Sequence, residues 1–146
     1  MTQAEAERVA TWTYDEPYSF YDPRADAGDL AELIDPGLRG NSYFCAHDEN
    51  GEVIGFFQFE RLEDVVDVGL GLRPDLTGRG LGLAYVEFGL AFARERFSPR
   101  RFTLSVATFN QRAITVYERA GFVVARRYLH ETGGGIHAFV EMERKV

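Results

Sequence analysis

The chain has 146 residues, with 23 acidic and 16 basic side chains, a formal net charge of −7, 45% hydrophobic residues and 27% charged ones. That size and balance describe one globular domain over residues 1–146, long enough to bury a core of its own. The acidic surplus excludes a general nucleic-acid binder, which needs a basic face, and suits a small cationic partner. In chain order, residues 4–12 (AEAERVATW) read as a short helix, and the polar stretch MTQAEAERVATW contains neither a signal peptide nor a membrane span. Next comes TYDEPYSFYDPRADAGD, an ordered loop that mixes aromatics with acids. It is either a packed lid or a pocket for a cationic amine, in which Tyr18 and Tyr21 are the candidate substrate contacts. LAELID reads as a second short helix, ended by PG.

SYFCAHDENGEVIGFFQFE holds two strand-like runs about a DENGE turn, and DVVDVGLGL is a third strand, stopped by Arg73-Pro74. Cys45, the one cysteine, excludes an internal disulfide, fits a reducing cytoplasm and reads as a buried inert thiol. It makes no metal-ligand spacing with His47, His130 and His137, so no metal is expected. LGLAYVEFGLAFARERF has a helical period, with Leu81, Ala84, Tyr85, Phe88, Ala91 and Phe92 as its predicted apolar face. RFTLSVAT is a strand. NQRAITVYERAG is a helix with Asn110 as N-cap and Gly121 past its end. FVVARRYLHE and IHAFVEMER are strands flanking TGGG. This order predicts a mixed α/β fold, one sheet with helices on both faces.

Between the third strand and the following helix lies PDLTGRGLG. Glycine inside regular structure costs about 0.5–1 kcal/mol relative to alanine, so a cluster needs a reason. Two readings stand at this point: a flexible turn, or a backbone-amide cradle for an anion at a helix N-terminus. The stretch is neither a P-loop nor the Rossmann spacing. Gly69 and Gly71, inside the preceding strand, point to a bulge or to close approach of another backbone or ligand.

GLGLRPDLTGRGLG, a helix and then LSVATFNQRAITVYERAGF together resemble the GNAT superfamily of acyl-CoA-dependent N-acyltransferases, over about residues 40–142. The family signature is Gln/Arg-x-x-Gly-x-Gly/Ala, followed by Asn, Ala, Tyr and Gly-Phe around a later helix. Here those positions are Thr77-Gly78-Arg79-Gly80-Leu81-Gly82, then Asn110, Ala113, Tyr117, Gly121 and Phe122. The nearest flavour is the subgroup that acetylates protein N-termini, ribosomal proteins included. Two positions depart from the pattern. Thr77 stands where Gln or Arg is usual, and only MTQ stands where the family places a strand ahead of its first helix. The resemblance therefore implies a mostly antiparallel central sheet whose first strand is missing or very short, with a homodimer as one way to complete that edge.

The resemblance further implies acetyl-CoA as co-substrate, no metal, and an amine acceptor, either a small molecule or a peptide N-terminus. Thr77 to Gly82 and Asn110 would hold the CoA, and the backbone of Leu70, Gly71 and Leu72 would pair with its pantetheine as an added strand. Tyr117 would be the general acid toward the thiolate; from the residues alone it is equally a core tyrosine. For the base, the ribosomal-protein enzymes carry a Glu five residues before the motif Asn, where this chain has Ser105. Asp67, in VVDVG, is the candidate in its place, against an ion-paired strand residue or a water chain. The function read from the sequence is a cytoplasmic N-acetyltransferase working by direct attack on the thioester. The alternative is a non-catalytic CoA-binding or sensor domain of the same fold.

Overall fold

The computed structural model describes all of residues 1–146. Thr2 and Glu5 form a reciprocal capping box that starts α1 (Gln3–Val9), and no strand precedes it. Asp26 caps α2 (Ala27–Ile34) and Asp35 caps α3 (Pro36–Arg39). The PG expected to end the second helix instead begins a further turn, because Pro36 at the first helical position needs no amide partner.

The strands are β1 (Tyr43–His47), β2 (Val53–Leu62), β3 (Val65–Leu72), β4 (Arg101–Ala107), β5 (Val123–Thr132) and β6 (Gly135–Lys145). They form one sheet in the order β1-β2-β3-β4-β6-β5, antiparallel everywhere except between β3 and β4. Gly133 and Gly134, at φ +58° and +81°, make the two-residue turn of the β5–β6 hairpin. Two helices fill the remaining connections, α4 (Gly82–Phe97) and α5 (Gln111–Arg119). Both cover one face of the sheet, where Leu90 and Ile114 pack on Phe57, Phe59, Val66, Phe102, Leu104 and Met142. On the other face α1 and α2 bring Ala6, Val9 and Leu33 against Tyr43 and Phe56. No helix is long and apolar enough to cross a membrane.

The buried face of α4 is not the predicted one. Tyr85, Val86, Gly89, Leu90 and Ala93 are buried, whereas Phe88 is 60% exposed and Leu81 and Phe92 lie outside the core. Gly89 is the reason. A Cβ there would stand 2.2 Å from the Phe57 ring, so the helix rests on the sheet at its glycine and turns the phenylalanines outward.

The parallel β3–β4 pairing is short. It runs from Val65↔Arg101 to Asp67↔Thr103 and then stops, while β3 continues to Leu72 on β2 and β4 to Ala107 on β6. The centre of the sheet therefore opens into a V.

Candidate active site

Alternation along the strands decides which backbone groups face the V. The Arg73 amide donates to Ile54 O of β2, so Gly71 also points its peptide groups at β2, while Leu70 and Leu72 point theirs into the opening. Of the three residues predicted to meet an added strand, two thus face the gap. Gly71 does not, and its absent Cβ makes room for the Phe56 ring, which would lie 2.3 Å away. On the opposite wall, the Ala107 amide faces the gap and donates to the Tyr21 hydroxyl at 3.2 Å.

Four phenols gather at this opening, all raised above the ordinary tyrosine value mainly by burial, so each keeps its proton at neutral pH. Three have partners. Tyr14 donates to Leu72 O at 2.8 Å. Tyr85 reaches Gly71 O at 2.9 Å and Phe56 O at 3.0 Å through the space that Gly55 leaves free. Tyr21 sits on Ala107 and beside Asn110. Tyr117, half-buried on α5 with its ring edge on Phe122 and close to Tyr21 and Tyr85, has a hydroxyl that makes no hydrogen bond inside the protein.

The glycine turn sits at the mouth of the V. Pro74–Leu76 form a single 3₁₀ turn, closed by the Thr77 hydroxyl donating to Pro74 O at 2.7 Å. Gly78 and Gly80 then adopt φ +69° and +76°, the left-handed region that favours glycine. Gly82 lets α4 approach α5, where a Cβ would meet Val116 at 3.2 Å. Side chains cap α1, α2, α3 and α5, but α4 begins at Leu81 with no side-chain cap, so its first amides have no protein acceptor. Arg79 is exposed beside them. Arg112 reaches within 3.5 Å of where a Gly78 Cβ would lie and stacks on the Tyr18 ring at 4.0 Å. Together Tyr14, Tyr18, Pro74, Thr77 and Arg112 line a cleft of about 390 Å³. Asp15, Glu16 and Asp75 also line it, so the groups suited to a phosphate are the Arg112 guanidinium on its wall and the uncapped amides of α4 beyond the Gly78 turn. Asn110 caps α5 by accepting from the Ala113 amide at 3.1 Å.

On the α1/α2 face, Asp67 accepts from the Thr103 hydroxyl at 2.7 Å at the last paired position before the V. Burial raises its carboxyl above the usual range, the nearby Glu60 and Glu141 add to that, and Thr103 opposes it. A second carboxylate, not singled out from the sequence, lies on the same face over β2. Glu32 of α2 accepts from Gln58 Nε2 at 2.7 Å, and Gln58 pairs with Gly69, the neighbour of Leu70. Nothing in LAELID distinguishes Glu32 from a solvated helix residue. Tyr14 and Tyr85 also escaped assignment, since each acts by gripping a carbonyl distant in sequence. Burial pushes the Cys45 thiol up to about 11, which leaves it inert.

A sequence profile of the Acetyltransferase (GNAT) family matches residues 5–122. The chain is 38% identical over 103 residues to a mycothiol acetyltransferase of Streptomyces coelicolor, covering 67% of this chain and 30% of that protein. It is 33% identical over 97 residues to a 5-NmdU N-acetyltransferase of Pseudomonas phage PaMx11, covering 64% of this chain and 65% of that one. The chain thus spans about a third of the length of the mycothiol acetyltransferases it matches. In fold it is similar to the Vibrio cholerae spermidine N-acetyltransferase in complex with CoA and spermine. The TM-score is 0.77 at 18% identity, over 99% of this chain and 92% of that one.

Proposed function

The chain belongs to the GNAT acetyltransferase family, and from that premise we propose that it transfers an acetyl group from acetyl-CoA directly to a small cationic primary amine. The observation that carries this reading is the Tyr117 hydroxyl, proton-bearing and without a partner at the opening where the central strands part. Its three neighbouring phenols are held by backbone groups; Tyr117 is free to give its proton away.

The residues present fit the co-substrate. The uncapped amides of α4, the turn from Thr77 to Gly82 and Arg112 would hold the pyrophosphate, with Arg79 adding charge. Tyr18, stacked on the Arg112 guanidinium, orients it. Leu70 and Leu72 offer peptide groups to the pantetheine, and Tyr14 has already taken the Leu72 carbonyl. Asn110 shapes the adjoining wall as the α5 cap. Bound acetyl-CoA supplies the activated acyl group, as a thioester with a thiolate leaving group. The Leu70 amide, facing the gap with no strand partner, is the oxyanion donor in this scheme, a contribution worth about 10²–10³ in rate. Tyr117 protonates the leaving sulfur.

On the acceptor side, Glu32 and Asp67 draw in the ammonium form of the amine. Asp67 lies three residues along β3 from Leu70, about 10 Å at strand rise, so it takes the amine proton through water. Tyr21, bonded to the β4 wall, borders the acceptor. The acids favour a polyamine or amino sugar over a peptide N-terminus, and spermidine, for which the structurally similar Vibrio cholerae enzyme is named, is a polyamine.

The test is calorimetric titration with acetyl-CoA together with thiol release over polyamines, amino sugars and peptides, for wild type and Tyr117→Phe. Turnover on the cationic small amines is expected, and Tyr117→Phe lowers kcat by about 10²-fold or more with acetyl-CoA affinity unchanged. Binding without turnover on any acceptor would make this a CoA sensor. Preference for peptides would overturn the acceptor class.

A further inference from the structure

β5 closes one end of the sheet and is bare on both faces. From Val123 to Thr132 every residue is exposed except the half-buried Tyr128 and Thr132. A register shift between Val124 and Arg126 interrupts its inner end, so the regular edge runs over 126–132, whose midpoint is Leu129, 73% exposed. No proline or covering helix blunts this edge, the usual protection of an outer strand. Its tip is tied elsewhere, by Asp26 accepting from the Gly133 amide at 2.9 Å.

The turn fixes which backbone groups are free. Thr132 and Gly135 flank a two-residue loop as a hydrogen-bonded pair, so Tyr128, His130 and Thr132 direct their peptide groups at β6. Arg127, Leu129 and Glu131 direct theirs outward. Their side chains lie on the α4/α5 face, opposite Val140, Ala138 and Ile136 respectively, and Ile136 is 70% exposed. Arg127 and Glu131 enter none of the ion pairs within the chain.

We propose that two copies of the chain pair β5 with β5 in antiparallel register on a two-fold axis through Leu129, joining two six-stranded sheets into one. In that register Leu129 meets its own copy, and Arg127 meets Glu131 on both sides of the axis. The outward peptide groups of Arg127, Leu129 and Glu131 are the ones that bond. Placing the axis at Tyr128 sets Arg127 against Leu129 and Arg126 against His130; placing it at His130 sets Leu129 against Glu131. Of these three axes, the one at Leu129 alone opposes unlike charges. At the other end, β1 has only five residues, and the Met1 ammonium already donates to Tyr43 O at 3.2 Å. The longer free edge is therefore β5 rather than β1. One strand pair buries less than the roughly 1,200–2,000 Å² of a stable interface, so the dimer forms with micromolar or weaker affinity.

Sedimentation of the full chain over about 1 µM to 1 mM reads this directly. The weight-average mass is expected to rise from 16.5 kDa toward twice that value. Arg127→Glu and Glu131→Arg, each opposing like charges, weaken association about tenfold or more. The double variant R127E/E131R restores it to within about threefold of wild type. A chain that stays monomeric throughout, single variants that associate like wild type, or a double variant that fails to recover would each overturn the proposal. Because the readout is mass, it stands apart from acetyl transfer.

Discussion

Asp67 shows how a single half-buried acid sets both chemistry and stability at the fork of the sheet. Burial raises its carboxyl, so folding disfavours the charged form. The sign follows. Below its ordinary value of 3.8 the group is neutral in folded and unfolded chains alike and costs nothing. Above its folded value the penalty is fully present, so wild-type stability gains as pH falls through that interval. Asp67→Asn keeps an acceptor for Thr103 and removes the charge. In urea melts the variant is expected to be more stable than wild type at pH 7, with the lead shrinking toward pH 4. In turnover it loses rate at saturating amine without losing acetyl-CoA affinity, the pattern of a lost proton acceptor rather than a damaged fold. A lead that grew on acidification would remove the buried-acid account.

Helix α4 separates what its sequence makes legible from what it hides. Its period and its glycine-rich start can be read from the letters, since Gly78 and Gly80 take the left-handed conformation that a helix N-terminus open to an anion requires. Its buried face cannot. Phe88 and Phe92 carry more hydrophobicity than Gly89, and only the Phe57 ring, arriving from the sheet, makes the glycine the point of contact. Gly89→Ala gains about 1 kcal/mol of helix propensity but drives a methyl into that ring, so a net loss of about 1–3 kcal/mol is expected in urea melts. Phe88→Ala, at a position 60% exposed, is expected to move stability by only about 0.5 kcal/mol. Equal losses in the two variants would restore the face inferred from hydrophobicity. The same division holds for the site. Asn110 as a cap and Tyr117 on its helix are local facts. The grip of Tyr14 on Leu72 and the reach of Glu32 to Gln58 join residues remote in sequence, and no local pattern encodes them.

At the scale of the whole molecule, the N-terminal segment is laid across the finished sheet. Tyr14 holds β3, Tyr21 holds β4, and Asp26 holds the β5–β6 tip while capping α2. The Gly133 amide, first among several donors, keeps the Asp26 carboxyl below its ordinary value of 3.8. Its contribution is therefore present above that value and lost as pH falls through the lowered one. Asp26→Ala is expected to melt below wild type at pH 7, the two curves converging in stronger acid, and to lose hydrogen-exchange protection at Gly133. A constant gap across that range would mean that the tie does not depend on the charge. The proposed acetyl-CoA side rests on α4, α5 and the paired strands, and the same segment reaches it through Tyr14 and Tyr18. Residues 13–26 touch both sides at once, through Tyr14 on the β3 backbone, Tyr18 on Arg112 and Tyr21 at the β4 wall, so a change in this one segment is felt by acetyl-CoA and amine together.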